Sequence, residues 1–278
     1  MPAITSRQFF QTGVALLLSL VLAACGKQES PTTNTSTAAT TKVYVVGTDA
    51  AYAPFELQNE KGEIVGFDID VVKAIAKNAG FEVKFLDTPW EGIFNAVVQG
   101  DRDLLISSIT ITPERQQTLD FSAPYFNAKQ LIAVKSDSSI TSLTDLKKLK
   151  VGVQNGTTGD EVVTKLQGKS SANVKRFEST PLALKEMESG GVDAVVADNG
   201  VMIHYVNNNP NSKFKTLSDL SFTSEHYGIA VKKGNAELLA LINKGLAGIQ
   251  SDGTYKQIYI SYFGVEPEVP GAAAAASN

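Results

Sequence analysis

The length and composition of the chain set the first limits on its function. It has 278 residues, of which 43% are hydrophobic and 19% charged, as in an ordinary soluble globular protein. A net charge of -4 gives no electrostatic case for nucleic acid binding. One cysteine rules out a disulfide within the chain, and with only two histidines a His/Cys metal site is not expected. We therefore predict no cofactor and no metal.

The N-terminus has the pattern of an export signal. Arg7 precedes an apolar run at residues 14–22, which is shorter than the about 20 residues of a membrane-spanning helix. The string Leu22-Ala23-Ala24-Cys25 resembles the lipobox of bacterial lipoproteins. We expect residues 1–24 to be a lipoprotein signal peptide and Cys25 to carry a lipid anchor. An ordinary signal peptide with a chance cysteine is the alternative.

Polar or low-complexity segments flank the body of the chain. Residues 25–42 are rich in Ser and Thr and cannot bury apolar area, so they predict a disordered tether. Residues 265–278 predict a disordered tail. About 225 residues remain, enough for one large domain or two small ones.

The first half of the body alternates strands and helices. Apolar residues at helical spacing end at Gly80, a residue suited to closing a helix. In chain order, the pattern predicts a strand at 43–46, a helix at 71–79, a strand at 81–85, a helix starting at 88–91, a strand at 103–107 and a short helix from Thr112.

The second half of the body repeats this alternation of strands and helices. The predicted elements are a strand at 151–153, a helix after 156–159, a strand at 174–177, a helix from Thr180 to Gly190, strands at 192–197 and 228–231, and helices near 235–250 and 254–263. Two such halves predict an α/β fold with two mostly parallel sheets, flanked by helices on both faces. Ligands of such sheets bind beyond the carboxyl ends of the strands.

Five strings in register then carry a resemblance to a known family. They are residues 47–56 (GTDAAYAPFE), 66–70 (GFDID), 107–115 (SSITITPER), 120–125 (DFSAPY) and 156–159 (GTTG). Together they resemble the extracellular solute-binding proteins of family 3, the polar amino-acid-binding proteins of ABC importers.

The resemblance implies a periplasmic-binding-protein clamshell of type II, in which two lobes share a hinge crossed twice. The crossings are expected near 128–129 and 224–225, so that lobe 1 is 43–127 plus 225–264 and lobe 2 is 128–224. It also implies that the protein is no enzyme and is monomeric. It would be exported to the periplasm or cell exterior and would deliver an amino acid to a permease and ATPase complex.

A free amino acid presents a carboxylate and an ammonium, and the resemblance implies a partner for each. Arg115 would grip the α-carboxylate as a bidentate donor, with Thr110, Thr157 and Thr158 completing the grip. The alternative for Arg115 is a surface residue or a salt bridge to Glu114 or Asp120.

Asp198, at the carboxyl end of a predicted strand, would bind the ammonium. Ser107 and Ser108 would contact the ammonium or the side chain. The alternative for Asp198 is a helix N-cap, and it could serve both roles.

Four further residues match positions that line the side-chain pocket of the family: Asp49, Tyr52, Trp90 and Glu91. Glu91 is equally explained by a capping box with Thr88, and Trp90 by core packing. Asp49 and Glu91 together favour arginine or lysine, since buried carboxylates need a cation or several donors. Asp49 alone leaves glutamine, histidine or cystine open.

Two smaller expectations complete the reading. Asp68 and Asp70 are predicted to cap the helix that they precede, and not to bind metal. A periplasmic arogenate or prephenate dehydratase on this same fold is the alternative function, with Glu91 as its possible general acid.

Overall fold

Strands and helices alternate through residues 42–268, the part of the chain that the computed structural model describes, the side chain of Ser212 apart. The predicted signal peptide, the lipidation site Cys25, the predicted tether up to residue 41 and the predicted tail from residue 269 onward lie outside the described residues.

The strands are short and fifteen in number within the described residues. They are β1 Val43–Thr48, β2 Ala51–Tyr52, β3 Glu56–Gln58, β4 Ile64–Val65, β5 Glu82–Asp87, β6 Leu104–Leu105, β7 Leu119–Phe121, β8 Phe126–Ala128, β9 Gln130–Lys135, β10 Val151–Gln154, β11 Val174–Phe177, β12 Ala194–Asp198, β13 Phe214–Leu217, β14 Glu225–Tyr227 and β15 Ala230–Lys232.

Seven α-helices accompany them in the same stretch. They are α1 Phe67–Ala79, α2 Ile93–Gln99, α3 Thr158–Gln167, α4 Thr180–Ser189, α5 Asn199–Asn208, α6 Ala236–Ser251 and α7 Thr254–Phe263. Three 3₁₀ helices cover Arg115–Gln117, Leu143–Lys148 and Pro210–Ser212.

The large strands form two five-stranded sheets of the same design. The first has the order β5-β1-β6-β15-β7 and the second the order β11-β10-β12-β9-β13. In each, the fourth strand runs antiparallel to its two neighbours while the first three are parallel. The prediction of two mostly parallel sheets is confirmed. We call the part built on the first sheet the first lobe and the part built on the second sheet the second lobe.

Helices cover both faces of each sheet, as the near-continuous apolar strands require. In the first lobe, α1 and α6 pack over one face and α2 over the other. In the second, α3 packs on one face while α4 and α5 pack on the other. Strands β2, β3 and β4 form a separate small antiparallel sheet, and β8 pairs with β14 in another.

The predicted start of α2 is wrong. Helix α2 begins at Ile93 after Gly92, whose φ of 98° is left-handed, and not at Thr88. The Thr88 hydroxyl instead donates to the Leu86 carbonyl and accepts from Arg102 Nε, so it is not available for a capping box.

The predicted caps of α1 are also wrong. Helix α1 begins at Phe67 with Gly66 as N-cap, which places Asp68 and Asp70 inside its first turn. Asp70 is bonded by the Tyr262 hydroxyl at 2.7 Å, whereas Asp68 is fully buried.

Residues 42–268 contain neither a membrane-spanning helix nor a cluster of metal-binding side chains. No helix there is long and apolar enough to cross a membrane. No group of three or more His, Cys, Asp or Glu side chains in that stretch is arranged to hold a metal ion.

Candidate functional site

The carboxyl ends of both sheets contribute to one polar cavity between the lobes. Glu56 and Gln154 line it, and so do all the predicted ligand-binding residues except Glu91. These predicted residues are Asp49, Tyr52, Trp90, Ser107, Ser108, Thr110, Arg115, Thr157, Thr158 and Asp198. These side chains leave about 20 Å³ of free space, room for about one water molecule. The conformation is therefore closed, and a free amino acid would enter only if the walls moved apart.

Arg115 begins a 3₁₀ helix, and its guanidinium is held without a counter-ion. Its Nη1 donates to the Thr110 carbonyl at 2.9 Å and its Nη2 to the Gly156 carbonyl at 3.4 Å. No carboxylate of the described residues lies within salt-bridge distance of it, and Asp120 is paired with Lys233 instead. Burial lowers the pKa of Arg115, although nearby acids oppose this. The guanidinium keeps donors free for an incoming carboxylate.

Asp198 ends β12 and is buried at the cavity wall. It stands at the N-cap of α5 but makes no side-chain capping bond. Its Oδ2 accepts from the Tyr227 hydroxyl at 2.6 Å and from the Tyr52 hydroxyl at 3.1 Å, and its Oδ1 accepts from Gln130 Nε2. Burial raises the pKa of Asp198 to about 6, with the charge of Glu225 adding to the shift and the three donors opposing it.

All the partners of Asp198 are neutral groups. A buried carboxylate that is solvated only by neutral donors retains an unbalanced negative charge, which an ammonium would neutralise.

Asp49 follows β1 and supplies a second negative group. Its Oδ2 accepts from Gln154 Nε2 of the second lobe at 3.2 Å. Burial raises the pKa of Asp49 to about 6, the Gln154 bond opposes this, and the charge of Asp87 adds to it. No described cation pairs with Asp49 either.

The two predicted aromatic residues take different positions. The Trp90 ring lies 5.4 Å from the Arg115 guanidinium carbon and packs edge-to-face on Phe94, whose own ring lies 5.1 Å from that carbon. Trp90 is thus both a cavity wall and part of a cation–π contact. Tyr52 is tied by its hydroxyl to Asp198 across the cavity.

The hydroxyl residues are mostly engaged within the protein. Thr157 caps α3 by accepting from the Asp160 N–H at 3.2 Å, and it donates to the Gln154 carbonyl. Ser107 Oγ accepts from the Asp49 N–H at 3.0 Å. Ser108 has a φ of 51°, an unusual value for a residue that is not glycine.

Sequence reasoning missed Glu225 and Gln130. Glu225 Oε2 accepts from the hydroxyls of Thr110 at 2.7 Å and Thr158 at 2.8 Å, two donors predicted for a ligand carboxylate. Gln130 Nε2 reaches Glu225 Oε1 at 3.0 Å, Thr158 at 3.1 Å and Asp198, so it joins two acids. Both residues flank the predicted hinge crossings, which was the one signal that could have found them.

Glu91 is brought elsewhere. Its side chain is exposed and borders a second groove with Asn155, Arg176 and Glu178, on the other side of Trp90, which lines both this groove and the cavity. A wider groove of about 830 Å³ on the second lobe is lined almost wholly by exposed residues, among them Lys135 and Lys213. Neither groove holds a buried charge, so the candidate site is the interlobe cavity.

Comparison with known proteins agrees with this geometry. The model of the bacterial extracellular solute-binding proteins, family 3, matches residues 44–265. The chain belongs to that family. Among its family relatives is a probable histidine-binding protein of Neisseria gonorrhoeae, 43% identical over 255 residues that cover 89% of this chain and 92% of the relative.

Solved structures confirm the predicted clamshell. The arginine-, lysine-, histidine-binding protein ArtJ of Geobacillus stearothermophilus is 46% identical with a TM-score of 0.79, and the match covers 82% of this chain and 97% of ArtJ. A second is an ancestral amino-acid-binding protein described as a precursor of cyclohexadienyl dehydratase. It is 40% identical with a TM-score of 0.73, and the match covers 80% of this chain and 95% of that one. The relatives are thus amino-acid-binding proteins, and they differ in the ligand that is named.

Proposed function

We propose that this protein binds a free amino acid with a cationic side chain, of the arginine, lysine or histidine type, between its lobes and delivers it to a membrane importer. The observation that carries the proposal is that Arg115, Asp198 and Asp49 line one cavity and form no salt bridge within the described residues. Arg115 is positive, and Asp198 and Asp49 are negative. An α-carboxylate, an α-ammonium and a cationic side chain would balance them one for one.

The two ends of the amino acid have separate partners in this proposal. Arg115 binds the α-carboxylate with free donors of its guanidinium, and the hydroxyls of Thr110 and Thr158 transfer to that carboxylate from Glu225. Asp198 binds the ammonium. Because these groups come from both lobes, a bound amino acid favours the closed form over the open one.

Asp49 gives the proposal its specificity. Its carboxylate faces Gln154, a neutral donor that a guanidinium, ammonium or imidazolium would replace or join. The names of the relatives support a cationic ligand, since they include histidine, arginine and lysine. If Gln154 is the only group that hydrogen-bonds to Asp49 in the complex, glutamine and cystine are the alternative ligands.

We propose binding without catalysis. The dehydratase alternative needs a general acid at the ligand, and its candidate Glu91 is exposed outside the cavity. Family relatives named as binding proteins support the same choice.

The proposal includes the lobe boundaries and the partners. Lobe 1 is 43–127 plus 225–264 and lobe 2 is 128–224, which is supported by the pairing of β8 with β14 at the two crossings. A monomer, exported and held to a bacterial membrane by lipid on Cys25, would pass its ligand to a permease and ATPase complex. A C25S variant that stays in the membrane fraction would contradict the lipid anchor.

A thermal-shift screen tests the function. The protein is unfolded and refolded to remove carried-over ligand, then heated with each of the twenty amino acids, ornithine and cystine. A ligand bound only by the folded state raises the Tm by mass action. A shift confined to arginine, lysine, ornithine and histidine is the expected result. A shift with glutamine or cystine alone would overturn the cationic ligand, and no shift at all would overturn amino acid binding.

A further inference from the structure

Two carboxyl groups lie fully buried beside the cavity without a cation. Glu56 belongs to β3 and Asp68 to the first turn of α1, and both residues are 0% exposed. The two side chains are neighbours, because the Asp68 N–H donates to the carbonyl of Phe55, the residue before Glu56, at 2.9 Å, and the carboxyl groups bond the consecutive residues Ser107 and Ser108. No Lys, Arg or His of the described residues forms a salt bridge with either. Two buried negative charges in contact would be prohibitively costly, so the pair must be neutralised in another way.

The hydrogen bonds show where a proton is held. Asp68 Oδ2 accepts from the Ser108 N–H and from the Tyr125 hydroxyl, each at 2.8 Å. Glu56 Oε1 accepts one bond, from Ser107 Oγ at 3.1 Å. Glu56 Oε2 and Asp68 Oδ1 are buried and have no hydrogen-bond partner among the described groups. Ionised carboxylates only accept, so a bond between the two groups requires a proton. Two donors favour the charge on Asp68, which leaves the proton on Glu56.

We propose that Glu56 and Asp68 share one proton at neutral pH, and that this pair positions Ser107 and Ser108 at the ligand cavity. Ser107 Oγ donates to Glu56 and accepts from the Asp49 N–H, so it connects the pair to the residue that sets specificity. The backbone of Ser108 is left-handed, a strained conformation for a residue other than glycine that persists only where neighbours enforce it. The bond from its N–H to Asp68 supplies that restraint.

The electrostatic surroundings agree with a retained proton. Burial raises the pKa of Glu56 well above its ordinary value, and the charge of Asp68 raises it further. The other titratable groups that interact with the pair are Asp49, Tyr52, Tyr125 and Tyr255, and all of them are acids. None supplies a positive charge that would favour ionisation of Glu56.

A shared proton has a definite effect on stability. Glu56 in the unfolded chain ionises at about pH 4.3, whereas in the folded protein it keeps its proton to higher pH. The folded state then binds more protons than the unfolded state throughout this window. Stability contributed by the residue is present below about pH 4.3 and is lost as the pH rises toward its folded pKa. The folding equilibrium constant falls about tenfold per pH unit on this account.

The test compares E56Q with a matched control, E60Q, which changes an exposed acid in the same segment. Gln retains a donor toward Asp68 and an acceptor for Ser107 but does not titrate. Ligand-free unfolding is measured from pH 5 to pH 8. Because Asp49 and Asp198 also release protons up to about pH 6, the curve for E56Q is expected to fall less steeply than those of wild type and E60Q by one proton, about tenfold per pH unit. Parallel curves for wild type and E56Q would overturn the proposal.

Infrared spectroscopy reads the proton directly and does not depend on stability. The C=O stretch of a protonated carboxyl group is expected at pH 7 in wild type and E60Q and not in E56Q. If E56Q does not fold, Y125F serves instead, since it removes one donor from Asp68. Its protonated-carboxyl band should persist to higher pH than in wild type. A wild-type spectrum without that band at pH 7 would overturn the shared proton.

The positioning role rests on the proposed function and has its own readout. With L-arginine and L-histidine as probes, E56A is expected to weaken affinity at least tenfold, and E56Q, which keeps an acceptor for Ser107, to weaken it less than E56A. The exposed control E60Q should keep wild-type affinity within about threefold. Equal affinity in E56A and wild type would overturn the positioning role. If neither probe binds wild type, the proposed function fails, and the infrared band still decides the shared proton.

Discussion

The two lobes hold their charges at the cavity in opposite ways. In the first lobe, the cation Arg115 is fixed by the Thr110 carbonyl and by contacts with the Trp90 and Phe94 rings. In the second, the anion Asp198 is fixed by neutral donors, the Gln130 amide of its own lobe and the Tyr52 and Tyr227 hydroxyls of the first. Neither lobe supplies a counter-ion for its own charge within the described residues. Each lobe is therefore electrostatically incomplete, and a zwitterion that touches both completes them together.

The largest expected effect comes from removing the cation. R115A should weaken binding of L-arginine by about 2–5 kcal/mol, roughly 30- to 5,000-fold, because a buried ligand carboxylate would lose its partner. R115K keeps the charge without the planar fork and should fall between R115A and wild type. Isothermal titration calorimetry measures both. Wild-type affinity in R115A would contradict the binding of the ligand carboxylate by Arg115.

Removing the negative charge of Asp198 in the second lobe should have the next largest effect on binding, and it should also stabilise the protein. D198N should weaken L-arginine binding by about 1.5–3 kcal/mol, the range for a charge-assisted hydrogen bond. The Asn amide can still be accommodated, since Gln130 Oε1 has no partner among the described groups and can turn to accept from it.

The ligand-free protein should respond to D198N in a pH-dependent way. The pKa of Asp198 is raised to about 6, so its ionised form costs stability as the pH rises from about 4 through 6. At pH 7.5 D198N should be more stable than wild type by about 3 kcal/mol, and near pH 4 the two should be alike. Melting curves at both pH values check this, and a lower Tm for D198N at pH 7.5 would contradict it.

Asp49 adds a negative charge to the first lobe, the lobe that also carries the cation Arg115. D49N should reduce the preference for L-arginine over L-glutamine by about 1–2 kcal/mol, a modest value because Asp49 is only half-buried. Calorimetry with both amino acids measures the preference, and an unchanged ratio would show that Asp49 does not meet the side chain.

Asp49 should also make the affinity for L-arginine depend on pH. The affinity of wild type for L-arginine should fall as the pH drops below about 6, when Asp49 and Asp198 take up protons. D49N loses one of these two sites, so its affinity should fall less steeply between pH 7 and pH 5. Identical profiles would assign the whole dependence to other groups.

The smallest effects concern Trp90 and Glu91. W90F should weaken L-arginine binding by about 0.5–1 kcal/mol through the cation–π contact with Arg115. E91Q should change the affinity less than twofold, since Glu91 is exposed in another groove. A tenfold loss in E91Q would mean that Glu91 contacts the ligand after all.

Much of the fold was predictable because its signals are local. Apolar periodicity gave α1 and α6, and Gly80 marked the end of α1 through its left-handed backbone. The start of α2 was not predictable from Thr88 and Glu91, because Arg102, fourteen residues away, takes the Thr88 hydroxyl.

The cavity was predictable only as far as each residue has a role of its own. Arg115 and Asp198 were predicted through the family resemblance, and Asp198 also through its place at the end of a predicted strand. Glu225 and Gln130 act through partners across the hinge, and the Glu56–Asp68 pair joins residues whose separation in sequence carries no period. Such contacts are set by tertiary packing, which local patterns do not encode.

The most direct test of the two-lobe account uses three ligands that differ in one charge. They are L-arginine, agmatine, which lacks the carboxylate, and guanidinovalerate, which lacks the ammonium. Calorimetric affinities are measured for wild type, R115A and D198N. The account predicts that R115A weakens L-arginine and guanidinovalerate but not agmatine, and that D198N weakens L-arginine and agmatine but not guanidinovalerate. Equal losses for all three ligands in either variant would contradict the assignment of one charge to each lobe.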